Sequence, residues 1–273
     1  MRRLVFRLTL LAGLLLAAIA AASQAERWAL YPFDPRHQTP AQAGLPQISE
    51  TRLTTPDDET LIVWTAPPHP GKPVILYFHG NSGNLASRAG RFRHFLSQGY
   101  GLVAPAYRGS SGSSGTPTEH SLISDATQVA SHSDWPGWPA HPGPIIAYGE
   151  SLGTAVTLGL LSNTDTPPDA IILEAPFTSI QALAEKHYPA LAPYISYLKN
   201  QWPTLDRART YLRQPLLILH GTQDELIPTD MGRAIHAAAP SPDKTLLIVP
   251  GAGHTDLWRS DTLPKLWRFL NAQ

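Results

Sequence analysis

The chain has 273 residues, 42% of them hydrophobic and 15% charged, which allows one large buried core and excludes a disordered chain. The 21 basic and 21 acidic residues cancel and form no dense run of either sign, which argues against a nucleic-acid partner. The absence of cysteine excludes disulfides, thiolate metal sites and a cysteine nucleophile.

Residues 1–25 have the pattern of an export signal. Three arginines precede an uncharged stretch from Leu8 to Ala22, and small residues follow up to Ala25. This pattern is typical of a secretory signal cleaved near Ala25, and an uncleaved segment of this kind anchors a protein in a membrane. We expect one or the other, with the rest of the chain outside the cytoplasm, in the periplasm or the extracellular space. An ordinary N-terminal helix is the remaining alternative.

Residues 47–273 alternate short apolar runs with helically spaced segments. The apolar runs predict eight strands: Ser49–Thr54, Thr60–Ala66, Val74–Phe78, Gly101–Ala106, Pro144–Tyr148, Ala170–Glu174, Pro215–Leu219 and Thr245–Val249. The other segments predict helices: Leu85–Ser97, Ser121–Ser131, Leu152–Leu161, Thr229–Ala238 and Thr262–Leu270. The first two strands predict an antiparallel pair, while the almost wholly apolar others are typical of a parallel sheet buried on both faces. We therefore predict one α/β domain with a mostly parallel eight-stranded sheet flanked by helices.

Residues 176–214 interrupt this alternation. The segment carries Tyr188, Tyr194, Tyr197 and Trp202 among Leu and Ala, which predicts short helices. An insertion at this point lies above the carboxyl ends of the strands, where open α/β sheets bind ligands. We expect a short helical lid.

A Gly-x-Ser-x-Gly pattern occupies Gly149–Gly153, between a predicted strand and a predicted helix. A sharp turn at this point strains the serine backbone and exposes its hydroxyl, and the two glycines remove side chains that would collide there. The pattern also occurs by chance, so its placement is the decisive observation. Ser151 is the predicted nucleophile.

A serine hydroxyl needs a base, and the base needs an acid that holds its tautomer. His254 follows the last predicted strand in a Gly-rich loop, and Asp224 follows the strand before it. The chain order Ser, Asp, His is the one expected for a serine on a strand-to-helix turn. Glu225 is the neighbouring alternative acid, and Asp256 is expected to bond locally.

Cleavage of an acyl bond also requires donors for the developing oxyanion. We expect the backbone N–H of Leu152, which begins the helix after the nucleophile, and that of Asn81, in the Gly- and Asn-rich turn after the strand Val74–Phe78. His79 and His220 each end a strand, and both are expected to be structural.

Two other chemistries lack their motifs. The Gly- and Ser-rich stretch Arg108–Gly115 lacks the Lys-[Ser/Thr] ending of a phosphate-binding loop, and no His-Glu-x-x-His metal pattern exists. We therefore expect neither a metal nor a cofactor.

Six short motifs follow one another along the chain: HGNSGN (79–84), YRGSSGSSGTPTE (107–119), GESLG (149–153), EAPFTS (174–179), HGTQDELIP (220–228) and GAGHTD (251–256). In this order they resemble the α/β-hydrolase superfamily over roughly residues 47–273. Within it, the chain resembles small-lid serine hydrolases often held at membranes by an N-terminal helix, including monoacylglycerol lipases and acyl-protein thioesterases. The resemblance implies the same nucleophile, partners and oxyanion donors: Ser151, Asp224, His254, Asn81 and Leu152.

The expected reaction is hydrolysis of a carboxylic ester or thioester through an acyl-enzyme on Ser151, with His254 as base and Asp224 as orienting acid. The expected substrate is a small-molecule or lipid-like acyl compound. A non-catalytic binding protein of the same fold, and peptidase, perhydrolase or carbon–carbon cleaving activity of the same three residues, are the alternatives. The acyl chain, the leaving group and the oligomeric state are left open.

Overall fold

The computed structural model describes residues 13, 14, 17, 20–133, 135, 138 and 143–273. Within this part of the chain, eight strands form one sheet. They are β1 (Ser49–Thr54), β2 (Thr60–Ala66), β3 (Val74–Phe78), β4 (Gly101–Pro105), β5 (Ile145–Glu150), β6 (Ala170–Glu174), β7 (Leu216–Gly221) and β8 (Lys244–Val249). Their order across the sheet is β1-β2-β4-β3-β5-β6-β7-β8.

The sheet is mostly parallel. Only β1 with β2 and β2 with β4 pair antiparallel, and every other neighbouring pair in the sheet is parallel. All residues of β3, β4, β6 and β7 are buried, as expected for strands covered on both faces. The predicted fold is therefore confirmed.

Helices cover both faces of the sheet. A short 3-10 helix spans Leu85–Arg88 and is followed directly by the α-helix that begins at Ala89. The described helices after it are α1 (Ala89–Ser97), α2 (Glu119–Ser131), α3 (Leu152–Leu161), α4 (Ile180–His187), α5 (Ala192–Ile195), α6 (Thr204–Tyr211), α7 (Thr229–Ala238) and α8 (Leu263–Leu270). Alternate residues of β3 face opposite layers, Ile75 toward the layer that contains α1 and α8, and Leu76 toward the layer that contains α2 and α3.

Residues 176–214, predicted as a lid, contain two different parts. The helices α4 and α5 follow β6 and lie at the carboxyl edge of the sheet. The helix α6 belongs to the body of the domain, because Ala208 in it and Leu212 directly after it are fully buried in the core against Leu158 of α3.

Residues ahead of the predicted domain start at 47 also pack on the domain. Residues 20–30 are helical and are named here the N-terminal helix. After it, Phe33 forms a parallel bridge with Gly83, and the side chain of Asn84 donates to Asp34 Oδ2 at 2.9 Å. Much of the predicted signal or anchor, residues 1–25, lies outside the described residues. Among the helices that the structure does describe, none has both the length and the apolar character needed to cross a membrane.

Candidate active site

Ser151 lies on a sharp turn between β5 and α3. Its φ of 52° and ψ of −114° place it in a strained region that non-glycine residues rarely adopt. The turn requires the two flanking glycines. A Cβ at Gly149 would lie 2.5 Å from the carbonyl oxygen of Gly153, and a Cβ at Gly153 would collide with the carbonyl of Phe78.

The structure brings the three predicted side chains together although they lie on three separate loops. Ser151 Oγ lies 3.0 Å from His254 Nε2, and His254 Nδ1 lies 2.8 Å from Asp224 Oδ2. Because a carboxylate only accepts, the geometry assigns the proton to Nδ1 and leaves Nε2 free to accept the serine proton. The imidazole therefore bridges the hydroxyl and the carboxylate.

The carboxylate of Asp224 is fixed on both oxygens. Its Oδ1 accepts the backbone N–H groups of Leu226 at 3.0 Å and Ile227 at 2.7 Å, while Oδ2 faces His254. Burial alone would raise the pKa of Asp224, but the hydrogen bonds from His254 and from the Ile227 N–H lower it below its usual range. Asp224 therefore stays ionised over the working pH range.

The two predicted oxyanion donors border the same cavity as the serine. Asn81, Ser151 and Leu152 all line a cavity of about 510 Å³. Leu152 begins α3, so its N–H has no acceptor within the helix, and the positive end of the helix dipole lies at this position. The Asn81 side chain donates to the carbonyl of Leu30 at 3.4 Å, which connects its loop to the N-terminal helix.

The walls of this cavity are mainly apolar. Phe177, Ile180 and Leu183 come from the start of the insertion, and Trp202 and Ile227 close other sides. The volume lies within the range of small-molecule sites, which are concave, largely apolar and carry few polar groups. A hydroxyl at the border of such a cavity can attack a ligand whose apolar part fills it.

Comparison with known families supports the same class of protein. The model of the family described as serine aminopeptidase, S33, matches residues 69–212, just over half of the 273 residues, and the model described as alpha/beta hydrolase fold matches residues 189–261. The chain belongs to the α/β-hydrolase superfamily. The predictions of this superfamily and of a hydrolytic enzyme are thereby confirmed.

Relatives of this α/β hydrolase include proteins of bacteria and animals. An uncharacterized protein of Mycobacterium tuberculosis (strain ATCC 25618 / H37Rv) is 32% identical over 220 residues, covering 79% of this chain and 75% of the relative. The lysophosphatidylserine lipase ABHD12 of Rattus norvegicus is 32% identical over 274 residues, covering 84% of this chain and 68% of the relative. The solved structure of the Pyrococcus furiosus esterase Pf2001 is similar with a TM-score of 0.68 and 18% identity, covering 89% of this chain and 96% of that one, which supports the fold.

Other polar residues near the hydrolase site have local partners. Asp256 Oδ1 accepts the Gly253 N–H at 2.6 Å, which agrees with the local bonding expected for it. His79 donates from Nδ1 to the carbonyl of Gly80 at 2.7 Å, and His220 donates from Nε2 to that of Ile227 at 2.8 Å. Burial is the main cause that lowers the pKa of both histidines, that of His79 to about 3, so both are neutral.

The sequence interpretation missed one wall of the cavity. Glu26 and Leu30 of the N-terminal helix line it, although this part of the chain was assigned to an export signal or lay outside the predicted domain. Glu26 is held by Asn200, whose backbone N–H and side-chain amide donate to Glu26 Oε1 at 2.8 and 2.5 Å. The side-chain oxygen of Asn200 in turn accepts the hydroxyl of Tyr31 at 2.8 Å. Only the fold brings these distant segments together.

Proposed function

We propose that this α/β hydrolase cleaves carboxylic esters or thioesters of lipid-like acyl groups through an acyl-enzyme on Ser151. The observation that carries the proposal is the hydrogen-bonded chain from Ser151 through His254 to Asp224, which ends at the border of an apolar cavity. The roles are those expected from the sequence: Ser151 as nucleophile, His254 as base and Asp224 as orienting acid.

In the first half-reaction, His254 Nε2 takes the proton of Ser151 as Oγ attacks the acyl carbonyl carbon. Asp224 stabilises the imidazolium that forms and keeps its own negative charge. The backbone N–H groups of Asn81 and Leu152 donate to the carbonyl oxygen as it becomes an oxyanion. The imidazolium then protonates the leaving alcohol or thiol, and an acyl ester remains on Ser151.

In the second half-reaction, His254 takes a proton from water, and the resulting hydroxide attacks the acyl ester. The same N–H groups stabilise the second tetrahedral intermediate. Its collapse breaks the bond to Ser151 Oγ, which recovers its proton from His254, and the carboxylic acid leaves. No other reactant is needed.

The cavity supports an acyl chain as the apolar part of the substrate. The lysophosphatidylserine lipases among the relatives act, by their name, on a lipid, and this agrees with the apolar walls contributed by Ile180, Leu183 and Trp202. We infer that the chain of the acyl group lies among α4, α5 and the N-terminal helix, so that α4 and α5 serve as the predicted lid.

A larger residue at position 184 is expected to shorten the acyl chain that the enzyme accepts. Ala184 of α4 lines the cavity and is buried, so a tryptophan side chain fills space that a long chain needs. We expect Ala184→Trp to lower kcat/KM for p-nitrophenyl esters of long acids at least about tenfold, because each displaced methylene is worth about 1–3 kcal/mol. Activity on the acetyl ester should change much less. The measurement is kcat/KM across a series of rising acyl length.

Ala237→Trp is the control for this series. Ala237 is exposed on α7 and does not line the cavity, so its replacement should leave the acyl-length profile unchanged. A uniform loss across all chain lengths in Ala184→Trp would contradict the proposed acyl position.

The alternative activities are tested in the same assay, with amino-acyl p-nitroanilides for a peptidase and with peroxide for a perhydrolase. Preferred cleavage of the anilides would replace the ester proposal by a peptidase.

We also propose that the enzyme works at a lipid surface. Large side chains on the N-terminal helix, in residues 188–197 and in the loop after β7 are 52–83% exposed: Trp28, Tyr188, Leu191, Tyr194, Tyr197 and Leu226. Three of them, Tyr188, Leu191 and Leu226, line the cavity itself. Aromatic side chains with polar tips are favoured where apolar and aqueous phases meet.

Replacing two of these aromatic residues is expected to weaken binding to vesicles. The variant Trp28→Ser with Tyr197→Ser should lower partition of the full chain into phosphatidylcholine vesicles at least about tenfold, because burying each large apolar side chain is worth about 1.5–3 kcal/mol. Tyr211→Ser is the control, since Tyr211 is 42% exposed on α6 and does not line the cavity. Sedimentation with vesicles measures the partition, and equal partition of the variant and the wild type would contradict the proposal.

A further inference from the structure

Four charged side chains are buried directly below the site, where sequence interpretation placed no functional residue. Arg88 and Arg91 come from the 3-10 helix and α1, and Glu150 and Glu174 are the last residues of β5 and β6. Arg88 pairs with Glu150 at 3.0 Å, and Arg91 pairs with Glu174. None of the four side chains is more than 16% exposed.

The guanidinium of Arg88 bonds two segments that meet at the site. Its Nη2 and Nε donate to the carboxylate of Glu150 at 3.0 and 3.3 Å. Its Nη1 donates to the backbone carbonyl of Ser82 and, at 3.5 Å, to that of Asn84. One side chain thus connects the residue before the nucleophile with the loop that carries Asn81.

The two segments touch at Gly80. A Cβ there would lie 3.1 Å from Glu150 Oε1 and 3.5 Å from the Cβ of Ser151. The same Cβ would lie 3.3 Å from Arg88 Nη2, so Glu150 and Arg88 would both have to shift to accept a side chain at position 80. Arg88 therefore bonds the loop and the turn at the point where they lie closest.

Glu150 is itself fixed from below. The hydroxyl of Tyr77 donates to its Oε2 at 2.6 Å, and the Tyr77 ring stacks on Tyr148 with a centroid distance of 5.1 Å. Burial opposes ionisation of Glu150, but the charges of Arg91 and Arg88 lower its pKa to about 2. Glu150 is therefore a carboxylate at neutral pH and accepts the hydrogen bonds of the Arg88 guanidinium.

We propose that Arg88, acting through Glu150 and the Ser82 carbonyl, is a positioning residue that sets the distance between the oxyanion donors of Asn81 and Leu152. The inference rests on the proposed function, because it concerns the same oxyanion. Such donors act when they lie about 2.7–3.1 Å from the oxygen of the tetrahedral intermediate, and a misplacement of about 1 Å costs on the order of 100-fold in rate. Substrate binding in the apolar cavity does not depend on this spacing.

The Arg91–Glu174 pair provides a comparison of the same charges and similar burial, with side-chain exposures of 16% and 1% against 8% and 15% for Arg88 and Glu150. Arg91 lies three residues after Arg88, and Glu174 also accepts from Tyr148 and from Trp258 Nε1 at 3.1 Å. Within the part of the chain that the structure describes, Arg91 bonds Glu174 and lies over the ring of Trp258, and it forms no hydrogen bond with the loop of Asn81. Loss of either arginine leaves a buried carboxylate without its cation, so both variants lose stability.

The experiment compares Arg88→Gln, Arg88→Lys, Glu150→Gln and Arg91→Gln in the full chain with a short-chain p-nitrophenyl ester. We expect Arg88→Gln to lower kcat about 10- to 100-fold with KM within about twofold, because only the transition state loses its donors. Arg88→Lys should recover only part of the rate, since an ammonium cannot make the forked contacts of a guanidinium. The factor by which kcat falls should be at least about ten times smaller in Arg91→Gln than in Arg88→Gln. The two variants are compared at an equal folded fraction, which thermal unfolding measures.

An alkyl boronic acid supplies a second readout that folding alone does not change. It forms a tetrahedral adduct on the serine, so its inhibition constant should rise in Arg88→Gln in proportion to the loss of kcat/KM, while inhibition by a product fatty acid stays the same. Equal kcat losses in Arg88→Gln and Arg91→Gln, or a loss that appears in KM, would overturn the inference. If Ser151→Ala loses its activity while Arg88→Gln is fully active, only the role of Arg88 fails. If Ser151→Ala turns over at the wild-type rate, the proposed function fails.

Discussion

Ser151→Ala is expected to lower kcat by about 10⁴-fold or more while the fold is retained, because the substitution removes the nucleophile and one partner of His254. Alanine is, like serine, a residue with a Cβ, so the backbone strain at this position remains, and its shorter side chain makes no new contact. The melting temperature should therefore remain close to that of the wild type. Hydrolysis of p-nitrophenyl butyrate measures the rate, and labelling with a fluorophosphonate measures the nucleophile directly.

Ser162→Ala is the matched control. Ser162 follows the other end of α3, and its hydroxyl donates to the carbonyl of Gly159 at 2.7 Å. Its replacement should leave both hydrolysis and labelling unchanged. Labelling of Ser151→Ala at the wild-type rate would show that another residue is the nucleophile, and the acyl-enzyme proposal would then fail.

Local sequence patterns predict most of the sheet, and hydrogen bonding explains the differences. The strands β1, β2, β3 and β6 have the predicted bounds. The strand β5 instead runs to Glu150, because Gly149 and Glu150 continue the ladder with Leu173 and Glu174. An apolar pattern cannot indicate this extension, since it ends at Tyr148.

Helix starts differ where a side chain caps the first turn. The helix α2 begins at Glu119, two residues before the predicted start, because Thr118 accepts the Ser121 N–H and Ser121 accepts the Thr118 N–H. The predicted helix Leu85–Ser97 begins as a 3-10 turn capped by Asn84. Polar caps of this kind lie outside the apolar periodicity on which the prediction depended.

The predicted site residues required only local signals, whereas the supporting residues required the fold. A glycine-flanked serine after a strand, and a histidine and an aspartate in loops after strands, are visible in short windows of sequence. The Arg88–Glu150 pair joins residues that are 62 positions apart, and Glu26 meets Asn200 across 174 positions. No window of sequence indicates such pairs, because the topology of the sheet decides which loops meet.

Asp224→Asn is expected to lower kcat about 10⁴-fold near neutral pH, because the amide forces His254 into the wrong tautomer. Atom Oδ1 of residue 224 accepts two backbone N–H groups, from Leu226 and Ile227, so the side-chain oxygen of an asparagine remains there. Its NH₂ group then faces His254 Nδ1 and can only donate.

The proton of the imidazole must then move to Nε2, which donates to Ser151 instead of accepting from it. Asp256→Asn is the control: Asp256 lies two residues after His254 and bonds Gly253 and Arg259, so its replacement should change kcat less than about threefold. Steady-state rates measure the loss, and the ¹⁵N shifts of the imidazole report the tautomer. If the Nδ1–H tautomer is retained while activity is fully lost, Asp224 acts through its charge and not by orienting the imidazole. If activity is retained, Asp224 has no role in the mechanism.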